Sequence, residues 1–409
     1  MSTQKFRTPL QILPTKGYVT VLEGEAGIGK TSLALASALA SGKVKYISYN
    51  EPEDSLVDKA KRVIHGQPEN LEVLHMLSGS NKAFSEIINS MAEGKIVILD
   101  SVDAFLWGEG GHQPERALFQ LIYESVKIRN GSLVLINEGS STLSNTLKFV
   151  ADSYIKMESV KLLGLSARKI TVLKDRDYPV SVYPFYYTFS DGLQILNASY
   201  FLDLDYIIQK KVKPWNRPFG AKSVMGEPEL FLYVMDRSVS VPFSRIYRLW
   251  LAVDYLNQGR NLVFMARPDE NISKLKNSLE TMSGKNGFTV IKSTGRIADD
   301  CKLIESYDKT MLIADTIVWE DEAASNQPAY EFAIKELVEH NTARGSGMIL
   351  FTYGSYTGFK IVDKYATRER RLMETENHIF LRTIRPPGPL YYVKVENSDA
   401  PELKLLMMF

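Results

Sequence analysis

The residues best placed to do chemistry come early and together: Gly24-Glu25-Ala26-Gly27-Ile28-Gly29-Lys30-Thr31, followed by Ser32. They satisfy the pattern G-x-x-x-x-G-K-[ST] in full. An apolar run (Tyr18 to Leu22) precedes them and an Ala/Leu-rich stretch of helical length follows, which is the context the pattern requires. Glycines let successive backbone N–H groups turn inward round a phosphate, and a helix N-terminus adds the positive end of its dipole. Lys30 then reaches the β- and γ-phosphates, and the Thr31 hydroxyl ligates Mg2+. The reading is a phosphate cradle at residues 24–32, with ATP and Mg2+ as the expected cofactors.

Three further positions carry groups of the right type. Asp100 closes the run Lys95-Ile96-Val97-Ile98-Leu99. An acid at the C-terminal end of a buried strand faces the phosphate mouth of such a sheet and holds magnesium through water. The alternative is a loop or helix cap. Glu51 and Glu53 follow the preceding run, where a carboxylate can polarise an attacking water. Glu51 is nearer the strand end and is the first choice for base, with Glu53 the other. Glu53, Asp54 and a capping Ser55 equally suit a helix start. Asn137 and Glu138 end the next run, where a polar side chain can sense the γ-phosphate.

These groups need a scaffold that brings strand ends together. Short Val/Ile/Leu runs (19–22, 44–47, 96–99, 133–136) are separated by amphipathic stretches (32–40, 55–63, 115–128). Continuous apolar strands alternating with helices predict a mostly parallel sheet covered on both faces. From Ile170 to Leu196, Tyr, Val and Phe alternate with polar residues around an Asp191-Gly192 turn, which predicts an antiparallel edge hairpin. Between Asp203 and Pro228 the periodicity fades among prolines, lysines and glycines. The chain divides on this reading into a first domain at 1–202, a linker at 203–228 and a second domain at 229–409.

The second half repeats the first faintly. At a spacing of 216, Lys45 to Leu56 lies over Asn261 to Ile272, so that Arg267 replaces Glu51. Val97 to Ser101 meets Leu312 to Thr316, and Gly131 to Ser140 meets Ser346 to Ser355. Two related α/β domains follow. The second has no glycine loop: its equivalent falls near Ser240 to Tyr247, without a glycine or a Lys-Thr pair. It is expected to be a non-hydrolysing copy.

The order Gly24…Lys30-Thr31, Asn50-Glu51-Pro52-Glu53, Ile98 to Asp103 and Ala151 to Ile155 resembles the RecA superfamily, closest to its KaiC-like and RadA-like branch. Lys174-Asp175-Arg176, Tyr183-Pro184-Phe185 and Asp191 to Ile195 resemble that branch's terminal hairpin. The likeness covers residues 10 to 197, and the second half only through the repeat. It implies two RecA-like domains and ATP bound between subunits of a homo-oligomeric ring or filament, commonly a hexamer. It also implies that Lys174 and Arg176 act in trans on a neighbour's phosphates. As bare residues they are ordinary strand charges.

The rest of the chain bounds the function. Its 409 residues, 44% apolar and 24% charged, suit two globular domains. A net charge of +1 advertises neither nucleic acid nor an anionic membrane. One cysteine, Cys301, excludes an intrachain disulfide, and the five histidines are scattered. With no leader pattern and no long apolar run, a cytoplasmic protein is expected. Arg368-Glu369-Arg370-Arg371 reads as a solvated helix face, and the apolar tail 403–409 as packing on its own domain. The leading function is a slow KaiC-like ATPase acting as a regulatory or assembly switch, with a protein partner for the second domain. The alternatives are a DNA-binding recombinase paralogue and a non-catalytic, ATP-stabilised scaffold.

Overall fold

The apolar runs become strands buried on both faces, and the segments between them become the helices that cover those faces. A computed structural model describes residues 7–77, 80–107, 115–139, 141–197, 208–212, 230–396 and 402–408. It divides into two compact units, within Met1–Ala198 and within Ser199–Met407. Most of the expected linker lies outside the described residues.

The first unit begins with α1 (Pro9–Ile12), β1 (Tyr18–Gly24), α2 (Lys30–Leu39), β2 (Val44–Ser48), α3 (Glu53–Ile64) and β3 (Leu71–His75). It continues with α4 (Ser80–Ala92), β4 (Ile96–Asp100), α5 (Val102–Trp107), α6 (Glu115–Arg129), β5 (Ser132–Asn137) and α7 (Ser141–Val150). β6 (Ser153–Leu162), β7 (Leu165–Asp175), β8 (Phe185–Thr188) and β9 (Gln194–Leu196) complete it. The sheet order is β3-β2-β4-β5-β1-β6-β7-β8-β9. β3 through β6 are mutually parallel, and β7, β8 and β9 are antiparallel additions. Alternate residues serve opposite faces, as the pleat demands. Leu22, Tyr46 and Ile98 pack with Leu33 and Leu56, while Val21, Ile47 and Leu99 pack with Ile87, Ile122 and Leu147. Each such side chain, fully buried, stabilises by about 1.5–3 kcal/mol before chain entropy is charged.

The second unit contains β10 (Leu230–Met235), α8 (Val241–Asn257), β11 (Leu262–Ala266), α9 (Ile272–Ser283), β12 (Phe288–Lys292), α10 (Ile297–Ile304) and β13 (Met311–Asp315). There follow α11 (Glu320–Ser325), α12 (Gln327–Ala343), β14 (Gly347–Tyr353), α13 (Phe359–Tyr365), β15 (Arg368–Thr375), β16 (His378–Arg385), β17 (Leu390–Glu396) and β18 (Glu402–Met407). The order β12-β11-β13-β14-β10-β15-β16-β17-β18 matches the first sheet strand for strand. Both units are therefore mostly parallel α/β sheets flanked by helices, each with an antiparallel edge.

Several sequence expectations need correction. The spacing between the halves is not constant, because the connecting loops differ in length. Val44 pairs with Ile96 and Leu262 with Met311, so those strand starts are equivalent. Arg267 therefore stands over Tyr49, not Glu51. The second unit's counterpart of the glycine loop is residues 236–240, while Val241 to Tyr247 already belong to α8. Arg368 to Arg371 form part of β15, paired with β10, with Glu369 buried, rather than a solvated helix face. The tail, by contrast, packs on its own domain as expected: through Met407 it is strand β18, hydrogen-bonded to β17. α3 is capped at Pro52; Ser55 lies in its first turn. Among the described residues no helix is long and apolar enough to cross a membrane.

Candidate functional site

β1 is the middle strand of its sheet and is buried along its whole length, so its C-terminal end opens among the ends of β5, β4 and β2. The chain leaves β1 at Gly24, turns through residues 25–29 and enters α2 at Lys30. The turn needs left-handed backbone at two places, Gly27 (φ +77°) and Gly29 (φ +105°). A Cβ on Gly27 would meet nothing within 4 Å, whereas one on Gly29 would come within 2.9 Å of the Phe189 ring. Tyr187, on β8, donates its hydroxyl to the Ile28 carbonyl at 2.6 Å. The edge hairpin thus braces the loop from outside. Gly29→Ala is expected to lower stability by about 1–3 kcal/mol through the backbone alone, plus the ring clash. Gly27→Ala should cost less. Urea midpoints for the two variants check this, and a reversed order would contradict the bracing.

Lys30 is buried, and its Nζ curls back to donate to the carbonyls of Gly24 (2.7 Å) and Glu25 (3.0 Å). Burial pulls its pKa below the ordinary lysine value, while Glu138, Asp100 and Asp103 oppose that shift. Thr31 donates its hydroxyl to Asp100 Oδ2 at 3.0 Å, and the fully buried Tyr46 donates to the same oxygen. Burial raises the Asp100 pKa against the pull of these two hydrogen bonds. Ser32 lies half-buried on the first turn of α2.

The remaining residues are brought near but are otherwise engaged. Glu51 forms an ion pair with Lys59 and accepts from the Ser55 hydroxyl at 3.0 Å. Glu53 is exposed at the start of α3. Asn137 is fully buried, donating to Ser144 at 3.0 Å and Glu23 at 3.4 Å, with its own Oδ1 lacking a hydrogen-bond partner. Tyr154 also donates to Glu23. Burial works against a charge on Glu23, but Ser144, Tyr154 and two lysines outweigh it and hold the carboxyl below its ordinary pKa. Glu138 is exposed, its N–H bonded to Asp103 at 3.0 Å.

Lys174 and Arg176 are elsewhere. Lys174 pairs with Tyr154, which pairs with Val21, and Arg176 N bonds Asp152 O, whose own N–H bonds Val19 O. At about 3.3 Å per residue along β1, Arg176 lies roughly 16 Å from the loop, at the N-terminal end of the strand, and Lys174, level with Val21, about 10 Å from it. Lys174 caps α7 by donating to the carbonyls of Lys148 and Ala151 at 3.0 and 2.5 Å. Arg176 pairs with the buried Asp152 at 3.1 Å. Neither serves its own chain's loop.

Three features of the first unit's loop bear on the MgATP expectation. Open space lies over Gly27, a cation sits at the helix N-terminus, and the Thr31–Asp100 pair is in hydrogen-bond contact. Magnesium is held by one or two protein oxygens plus phosphates and water, so no larger acid cluster is required. The second unit differs. Its loop, Asp236 to Ser240, has no glycine. Asp315 takes the place of Asp100, fully buried and bonded to Arg267 Nε at 3.1 Å and Nη2 at 2.5 Å. Arg248, also buried, pairs with Glu270 at 2.6 Å and approaches Asp315 to 4.0 Å. Burial opposes the charge on Arg267, but Asp315 and Glu270 raise its pKa above the ordinary value.

No family model matches the chain, and no curated protein matches it in sequence. Tyr46, Glu23, Tyr154 and Tyr187 were not singled out by sequence reasoning. Glu23 alone left a signal, as a charge directly after an apolar run and before the glycine loop.

Proposed function

We propose that the first unit is a RecA-like domain of the KaiC-like and RadA-like kind that binds MgATP at residues 24–32 and hydrolyses it slowly. The chain as a whole would act as an oligomeric regulatory or assembly switch, with the second unit a non-hydrolysing copy available to a protein partner. The observation that carries this is the complete glycine loop at the end of the central strand, with Lys30 folded over it and Thr31 against Asp100. Loop N–H groups and Lys30 would bind the β- and γ-phosphates, and Thr31 and Asp100 would hold the metal. When bound, Mg2+ neutralises phosphate charge. Glu51, once released from Lys59, would orient water.

Because Lys174 and Arg176 lie away from their own chain's loop, the role proposed for them is in trans, with the nucleotide at an interface between copies. Light scattering with and without MgATP tests it. ATP is expected to raise the mass of the wild type, and Arg176→Ala to lose both that increase and most turnover. An Arg176→Ala chain that assembles and hydrolyses normally would remove the trans assignment.

The engagement of Glu51 by Lys59 and Ser55 favours one second reading, ATP held for structure without turnover. Tight MgATP binding with no phosphate release from the assembled protein would select it.

A further inference from the structure

We infer that Tyr46 is a positioning residue for the metal-holding carboxylate, fixing one oxygen of Asp100 so that the other would be left for a bound magnesium. The inference rests on the proposed MgATP reading. Tyr46 lies in β2, whose register sets Ser48 beside Asp100 and Tyr46 beside Ile98 on the neighbouring strand. Its side chain is fully buried, and its hydroxyl donates to Asp100 Oδ2. Thr31 donates to that same oxygen. The two donors are not equivalent. Thr31 is also the residue proposed to ligate the metal, so its hydroxyl is shared between Asp100 and Mg2+. Tyr46 has no such competing role, and a phenol packed in the core has few rotamers through which to lose its partner. It therefore holds Oδ2 in either state and leaves Oδ1 free to accept from metal-bound water. Groups that orient a metal's ligands from behind commonly set its affinity as strongly as the ligands do.

The burial of the site sharpens the need. Asp100 is nearly inaccessible to solvent. A carboxylate there must take its stabilising donors from protein. Removing the Tyr46 hydroxyl leaves Thr31 to do two jobs.

The test follows mant-ATP binding to the full chain while MgCl2 is titrated, for wild type, Tyr46→Phe, Asp100→Asn and the double variant. Binding of mant-ATP in EDTA is the reference. Tyr46→Phe is expected to raise the Mg2+ midpoint by about tenfold. It should leave EDTA binding unchanged and add no further shift on Asp100→Asn, since it acts through that carboxylate. Normal wild-type behaviour with an unshifted Tyr46→Phe midpoint overturns the assignment alone. So does a variant that has lost EDTA binding in equal measure, which marks a general structural role, or one whose shift persists on Asp100→Asn. A wild type that binds no mant-ATP at any Mg2+ concentration removes the nucleotide reading itself, and this assignment with it.

Discussion

Lys30→Ala is expected to abolish nucleotide binding at the glycine loop while leaving the first unit at least as stable as before. Those effects separate a ligand-binding lysine from a structural one. In the structure the Lys30 ammonium is buried and satisfied by two backbone carbonyls, not by a carboxylate within ion-pair distance. Its pKa is lowered chiefly by burial, so the fold pays something to keep the charge in place. Alanine removes that cost and leaves the Gly24 and Glu25 carbonyls to water. Phosphate binding, by contrast, loses charge-assisted hydrogen bonds of about 1.5–3 kcal/mol each. Two of them amount to roughly a hundredfold or more in affinity. Mant-ATP titration, steady-state phosphate release and a thermal melt decide the matter together. Unchanged turnover would sink the ATPase proposal, and a melt several degrees lower with intact binding would make Lys30 a structural residue.

Much of the frame was legible because it is local. The loop motif is eight consecutive residues, and β1, β4 and β5 are continuous apolar runs. The Asp191-Gly192 turn lies between β8 and β9, as its dipeptide predicts. What escaped depends on partners far apart in sequence. Tyr46 and Asp100, Tyr154 and Glu23, and Tyr187 and Ile28 meet only after parallel crossovers bring their strands together. β3 escaped for another reason. Leu71-Glu72-Val73-Leu74-His75 is an edge strand, only partly buried, so its pattern lacks the run that marks a central one. Arg368 to Arg371 misled in a similar way. Charges on a strand beside β10 keep company with aromatic rings, Arg370 with Phe231 and Tyr233, and composition alone reads them as solvent-facing.

The repeat was visible in outline but not in register, and the register matters to what the second unit is. Arg267 does not replace a catalytic acid. It leaves the end of β11 and neutralises Asp315, the counterpart of Asp100, where the first unit has only neutral hydroxyl donors. Arg248 on α8 and Glu270 before α9 join them, so that two cations and two anions meet beside the ends of β11 and β13.

Arg267→Ala should therefore be among the most damaging single changes in the chain. It strands Asp315, whose side chain is wholly buried, without its closest counter-ion. Breaking a buried pair from one side costs about 3–5 kcal/mol, because an uncompensated charge stays behind. Replacing both partners with apolar residues of similar size, Arg267→Met with Asp315→Leu, should cost far less. The remaining Arg248–Glu270 pair is still neutral, and two desolvation penalties are removed at once. Trp250 and Trp319 are buried in this unit and Trp107 lies in the first, so urea unfolding followed by tryptophan fluorescence in a Trp107→Phe background reads the right transition. A single variant costing under about 1 kcal/mol would show that water reaches Asp315 and screens it. A double variant as damaged as the single one would show that the pair contributes specific geometry rather than mutual neutralisation. The expected result, a deep loss for one change and recovery with both, would show that the work of Arg267 is to neutralise the buried Asp315.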